Sequence, residues 1–109
     1  MANLTPKVVR TYYQNGELME EYYTVNGNIE GICNIYYDNG VIYSCSNNIN
    51  GFKHGEFKSF RISGNIRGSC NYVYDKLNGD GKFYNEGVLW KHVIHDDNSI
   101  VKTIFKKLI

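Results

Sequence analysis

His92-Val93-Ile94-His95, followed by Asp96 and Asp97, is the one stretch of this 109-residue chain that gathers metal-ligand side chains. A metal requires ligands that converge on one point. On a strand, residues i and i+3 point to opposite faces, so His92 and His95 diverge there. Cys33, Cys45 and Cys70 are an odd set and cannot all pair within the chain. Unrelated residues fill the corresponding slots of other copies: Phe57 and Gly81 for Cys33, Glu21 and Ser69 for Cys45, Tyr22 and Ser46 for Cys70. The cysteines read as small, buried or half-buried fillers, and free thiols suit a reducing, intracellular setting. His54 precedes Gly55 as Glu30 precedes Gly31 and Asn78 precedes Gly79, so it reads as turn chemistry. Glu20, Glu21 and Glu30 have no matching pair for a two-carboxylate mechanism. No glycine is followed by the Lys-Ser/Thr of a phosphate loop, and no serine or cysteine stands in a nucleophile elbow. The expectation is a protein without catalytic residues, metal or cofactor.

Binding chemistry is better represented. Sixteen residues are aromatic, ten of them tyrosine. Tyr12, Tyr36, Phe60 and Tyr84 recur at one constant step, as a packing position would. The next slot, 13/37/61/85, reads Tyr, Tyr, Arg, Asn, as a solvent or partner position would. Tyr13, Tyr22, Tyr23 and Tyr37 are therefore candidate partner-binding residues; the alternative is that they stiffen a sheet by cross-strand pairing. Lys53, Lys58, Arg61 and Arg67 are the local concentration of basic residues, and the candidates for a phospholipid headgroup.

The elements that position these residues are repeats. Gly16, Gly40, Gly64 and Gly87 follow one another at steps of 24, 24 and 23. Leu18, Ile42, Ile66 and Leu89 keep the same steps, and Gly31, Gly55 and Gly79 keep the step of 24. Asn-Gly at 15–16, 26–27, 39–40, 50–51 and 78–79 predicts type I′ hairpin turns. The intervening runs, rich in Tyr, Ile, Val and Phe, suit strands. They are expected at about 8–13, 17–25, 32–37, 41–47, 56–60, 65–74, 81–84 and 88–94, as an antiparallel meander of hairpins. Leu18 and its equivalents are expected on the core side. Val25, Ile49 and Val73 lie at the opposite strand parity, which predicts a bulge between the two slots.

The copies Tyr12-Tyr13-Gln14-Asn15-Gly16-Glu17-Leu18 with Asn26-Gly27 to Gly31, and Tyr36-Tyr37-Asp38-Asn39-Gly40-Val41-Ile42 with Asn50-Gly51 to Gly55, resemble the MORN-repeat family in its variant form. A third copy runs from Phe60 through Gly79 with Asp75 in a glycine's place; the fourth, from Tyr84, is one residue short. The resemblance spans about residues 8–95. It implies an all-β, elongated antiparallel meander of hairpins. It also implies an interaction or scaffold module, with protein partners or self-association. The alternatives are a peripheral phospholipid binder and an antitoxin-like binding partner.

Residues 1–7 read as a lead-in. In the tail, Ile100, Val101, Ile104, Phe105 and Leu108 recur at helical spacing behind the N-cap candidates Asn98 and Ser99, so 96–109 is expected to form a short amphipathic capping helix over the last hairpin, near Leu89 and Val93. A net charge of +1 with interspersed signs argues against a nucleic-acid partner. No apolar run reaches the ~20 residues of a membrane span, the N-terminus has no secretory pattern, and Ala2 excludes myristoylation. Heavy use of Asn, Ile, Tyr and Lys fits an AT-rich genome, such as that of a large DNA virus or certain bacteria. The expected setting is therefore the cytoplasm, or host cytoplasm or virion for a viral protein.

Overall fold

The computed structural model describes residues 5–107. These form one antiparallel sheet of eleven strands: β1 (Lys7–Tyr12), β2 (Leu18–Val25), β3 (Asn28–Ile29), β4 (Gly31–Tyr36), β5 (Ile42–Ile49), β6 (Phe52–Phe60), β7 (Ile66–Val73), β8 (Lys76–Leu77), β9 (Gly79–Asn85), β10 (Val88–Asp96) and β11 (Ser99–Lys106). Strand order along the main path is β1-β2-β4-β5-β6-β7-β9-β10-β11, with β3 on β2 and β8 on β7. The body measures 52 × 36 × 14 Å, and the smallest dimension leaves no room for a second layer. The lead-in is shorter than expected, since Lys7 already belongs to β1; residues 1–4 of it lie outside the described residues.

The first three repeats each contain two kinds of turn. Asn26-Gly27, Asn50-Gly51, Tyr74-Asp75, Glu86-Gly87 and Asp97-Asn98 have positive φ at both positions, the type I′ signature. The turns at Gly16, Gly40 and Gly64 differ from the expectation. Only the glycine has positive φ, and Asn15 and Asn39 do not. Gly40 N–H donates to the Tyr37 carbonyl at 3.1 Å and Tyr37 N–H to the Val41 carbonyl at 2.7 Å, giving a short loop closed by a left-handed glycine. The Asn39 side chain uses its Oδ1 to accept from Val41 N–H at 3.0 Å, as Asn15 does from Glu17 N–H. The fourth repeat lost one residue, and there the loop shrinks to the tight turn Glu86-Gly87. At 78–79 there is no hairpin turn. Gly79, like Gly31 and Gly55, has positive φ where a strand leaves its first pairing and starts its second.

The expected bulge exists in every repeat. Tyr12 pairs with Leu18 while Thr11 pairs with Glu20, leaving Met19 extra; Tyr43, Arg67 and Trp90 are the equivalent extra residues. The two invariant slots are cross-strand partners at each bulge: Tyr12 with Leu18, Tyr36 with Ile42, Phe60 with Ile66, Tyr84 with Leu89. Both slots are half-buried rather than core positions, apart from the exposed Tyr12. The buried places go instead to small or polar side chains, among them Cys33, Ser44, Ser46 and Asn48, with Val93 and His95. A single layer has no opposite layer to cover a large side chain, so depth exists only close to the backbone.

Repeats are fastened to one another at both margins of the sheet. The Tyr13 hydroxyl donates to the Tyr36 carbonyl at 2.6 Å and the Tyr37 hydroxyl to the Phe60 carbonyl at 2.8 Å. On the other margin Gly51 N–H donates to the Ile29 carbonyl at 2.9 Å, Asp75 N–H to that of Lys53 at 2.8 Å and Asn98 N–H to that of Leu77 at 3.0 Å. The tyrosine staple ends at the third repeat, where Arg61 occupies the slot and its Nε is buried without a partner.

The tail corrects the helix expectation. Residues Ser99–Lys106 are a strand, paired antiparallel to β10, and no helix occurs among the described residues. Val101 and Ile104 are bulged residues: Ile94 pairs with Lys102 but His95 with Ile100, and His92 pairs with Phe105 but Val93 with Thr103. Two bulges in close succession break the period of two and imitate a helical stripe. Leu108, the last residue of that stripe, lies outside the described residues. The tail does lie against Val93, as a strand instead of a helix.

Three outcomes follow for stability. Gly40, at φ +86°, cannot become a β-branched residue without strain, so Gly40→Val is expected to cost more than ~1 kcal/mol in urea unfolding; an unchanged midpoint contradicts the turn geometry. Tyr37→Phe removes the staple and is expected to cost about 0.5–1.5 kcal/mol, whereas Arg61→Tyr is expected to stabilise by restoring one; equal midpoints for all three proteins contradict the staple. Deleting residues 98–109 strips the cover from β10, whose Val93 is fully buried. The truncated chain should aggregate or form larger oligomers by size exclusion with light scattering, while an unchanged mass and melting curve would show that β11 covers nothing.

Candidate functional site

Residues paired across an antiparallel ladder share a face. Following the pairs from Cys33–Ser46 and Ser46–Phe57 to Phe57–Cys70, and from Ser44–Ser59 to Gly68–Phe83 and Phe83–Lys91, defines one face of the sheet. Cys33, Ser44, Ser46, Asn48, Val93 and His95, the buried side chains, all belong to it, and it is the inner face below. The outer face carries Arg10, Glu21, Cys45, Glu56, Lys58, Asp80 and His92. His92 and His95 therefore diverge, as strand parity requires.

The two faces differ electrostatically. On the outer face cations meet carboxylates, Arg10 with Glu21 at 2.8 Å and Lys58 with Glu56 at 3.3 Å, and the His92 Nε2 lies 2.7 Å from Asp80 Oδ1. A polar hollow of about 270 Å³ there includes Glu56, Asp80 and Lys82, so both signs line it. The inner face carries cations set over rings. Lys53 Nζ lies 5.8 Å and 5.7 Å from the Phe57 and Tyr72 ring centres, and Lys91 Nζ lies 5.3 Å from that of Phe83, within cation–π reach.

Between these rings the inner face dips into a slot of about 250 Å³. Ser59, Gly68 and Cys70 are its small residues, Phe57, Tyr72 and Phe83 its rings, and Arg67 and His95 its polar members. Gly81 shapes one part of it: a Cβ there would fall 2.5 Å from His95 Cε1 and 3.2 Å from Val93 Cγ2. Glycine thus lets the imidazole lie against β9. The ring is 6% exposed, and its Nδ1 is buried with no hydrogen-bond partner. Burial pushes the Cys70 thiol and the Tyr72 phenol up from their ordinary values, with their mutual hydrogen bond lowering the first and raising the second. Burial likewise pushes up the Cys33 thiol. Neutral thiols are poor nucleophiles, and all three cysteines are free. Among the described residues no group of three His, Cys, Asp or Glu side chains gathers as a metal site would.

The tyrosines singled out in the sequence are not brought together. Tyr13 and Tyr37 sit in the loops with their hydroxyls bound to the next repeat's backbone. Tyr22 pairs with Val9 on the inner face, while Tyr23 pairs with Val8 on the outer. The expected roles of the two neighbouring slots are reversed in the first repeat, where Tyr12 is 58% exposed, and kept in the fourth, where Tyr84 is half-buried and Asn85 exposed. The basic quartet divides as well. Lys53 and Arg67 serve the inner slot, Lys58 lies on the outer face beside Glu56, and Arg61 is half-buried at a loop. His54 is a strand residue of β6, not the turn residue expected, and its Nδ1 accepts from Tyr74 N–H at 3.3 Å. Sequence reasoning missed the slot, since Phe57, Tyr72, Phe83 and His95 come from four strands. The one local signal was Gly81, a glycine inside a strand run.

Comparison with known families agrees with the repeat geometry. The family model described as MORN repeat variant matches twice, over residues 7–26 and 29–47. No match is found among curated proteins or among solved structures. The matched segments span β1 to the first part of β5, and the same loop glycine, bulge and positive-φ glycine recur in register through β10. Residues 7–26 and 29–47 thus match two MORN repeats of the variant type, which supports a MORN-repeat family.

Proposed function

We propose that this chain is a non-catalytic protein-interaction or scaffold module working inside the cell, and that it associates through the free edge formed by β11. The observation that carries this reading is the composition of that edge. Every residue of β11 is exposed, including Ile100 at 50%, Val101 at 60%, Ile104 at 51% and Phe105 at 43%. An unpaired strand with large apolar side chains is a template for another strand. The bulges at Val101 and Ile104 take these residues out of the ladder with β10. Antiparallel pairing of two copies about Lys102 and Thr103 would set Val101 opposite Ile104 and Ile100 opposite Phe105, with Lys102 opposite Thr103 and Lys106 opposite Ser99. Pairing β11 with β1 would instead bring Lys102 and Lys106 toward Lys7 and Arg10, and like charges across a ladder are unfavourable.

The test is mass against concentration by size exclusion with light scattering. The wild type is expected to form a dimer between about 1 and 500 µM, a range in which moderate interfaces populate. Val101→Lys combined with Ile104→Lys, both at exposed positions, sets like charges opposite one another in that pairing and is expected to leave the far-ultraviolet spectrum intact and hold the chain monomeric. A wild-type monomer over the whole range, or a double variant that dimerises equally, overturns association through this edge.

A further inference from the structure

We infer that the inner slot between β6 and β10 is a binding site for an acidic peptide segment that inserts one aromatic or large aliphatic side chain. Size comes first. At about 250 Å³ the slot falls below the ~300–1,000 Å³ of sites for drug-sized molecules, and it suits a single anchoring side chain of the kind that dominates interface energetics. Its rings supply the apolar wall. Phe57 and Tyr72 meet edge to face, with centroids 6.0 Å apart and planes at 83°, and Phe83 stands on the neighbouring strand.

Charge decides the partner. Arg67 is part of the lining, Lys53 stands over the Phe57 and Tyr72 rings, and Lys91 stands over Phe83. Among the described residues none of the three is in an ion pair, and no carboxylate lines the slot. On the outer face Arg10 and Lys58 have carboxylate partners within the chain, whereas these three cations have none. Carboxylates flanking an inserted side chain would meet all three. The His95 nitrogen adds an unmet hydrogen bond to the unmet charge, and a buried group of that kind calls for a partner. Because the slot lies on the sheet face and β11 on its edge, the slot can fail as a binding site while edge association holds, and the reverse.

Trp90, the single tryptophan, has its ring centre 6.1 Å from that of Phe83, so its fluorescence reports on occupancy. The probe is the heptapeptide Glu-Asp-Glu-Phe-Glu-Asp-Glu. It is expected to change Trp90 emission saturably, and to bind more weakly as salt rises from about 50 to 500 mM. Replacing the peptide's Phe by Ser, or combining Lys53→Gln, Arg67→Gln and Lys91→Gln in the protein, should each weaken binding by about tenfold or more. Ser59→Phe, which fills the slot, should abolish the change in a protein with an intact spectrum. The Val101→Lys/Ile104→Lys variant should bind the peptide no more weakly than the wild type. No saturable change up to about 1 mM peptide, a value beyond which affinity is negligible, overturns the proposal; so does equal binding by the Ser peptide or the triple variant. Binding of phosphatidylserine vesicles with the peptide inert would replace the peptide by a lipid surface.

Discussion

One supernumerary residue per hairpin, at Met19, Tyr43, Arg67 and Trp90, governs which side chain faces which way in this sheet. A strand alternates faces at every residue, so a single insertion inverts everything beyond it. Without the bulge, Leu18 and Val25 could not both keep their apolar character in one repeat. With it, the aromatic and aliphatic slots meet across the hairpin, and the remaining strand carries small residues inward. The bulge also increases local twist, which suits a single sheet that must curve over its own inner face. The inner slot depends on this arrangement, because Arg67 enters its lining as the bulged residue of β7.

A layer only 14 Å thick cannot hold a conventional core. Its buried side chains are mostly small or polar, and Asn48 is satisfied locally: its Nδ2 donates to the Gly31 carbonyl at 3.2 Å and to Ser46 Oγ at 3.1 Å. Cohesion comes instead from the ladder, from cross-strand pairs and from bonds that tie each repeat to the next. Stability in such an array is a sum of repeat and neighbour contributions, which is why an edge strand as exposed as β11 still matters: it lies against Val93, the one fully buried side chain among the described residues.

Much of this was legible in the chain because it repeats. The period, the loop glycines and the aromatic and aliphatic slots all reappear as structural positions, and the conflict of parity between Leu18 and Val25 pointed to the bulge. Turn type was not legible from the Asn-Gly dipeptide, which is the same at 39–40 and 50–51. What differs is loop length between paired residues: Tyr36 to Ile42 in one case and Ile49 to Phe52 in the other. The tail misled for a related reason, since two bulges turn a strand's alternation into pairs of adjacent apolar residues. The site was hidden more deeply. Lys53 and Lys58 look like one cluster, yet at odd separation on β6 they take opposite faces. The slot exists only once four strands are in register.

Arg61 gives the array a seam. Tyrosine hydroxyls bind the first repeat to the second and the second to the third, but the next junction has an arginine with an orphaned nitrogen where the staple would be. Mechanical load or thermal fraying should therefore divide the chain between its third and fourth hairpins before it opens the earlier ones. The strands that line the inner slot, β6, β7, β9 and β10, straddle that seam. A side chain inserted in the slot would act as a rivet across this unstapled joint, so that occupancy and the integrity of the C-terminal half would be two readings of one equilibrium.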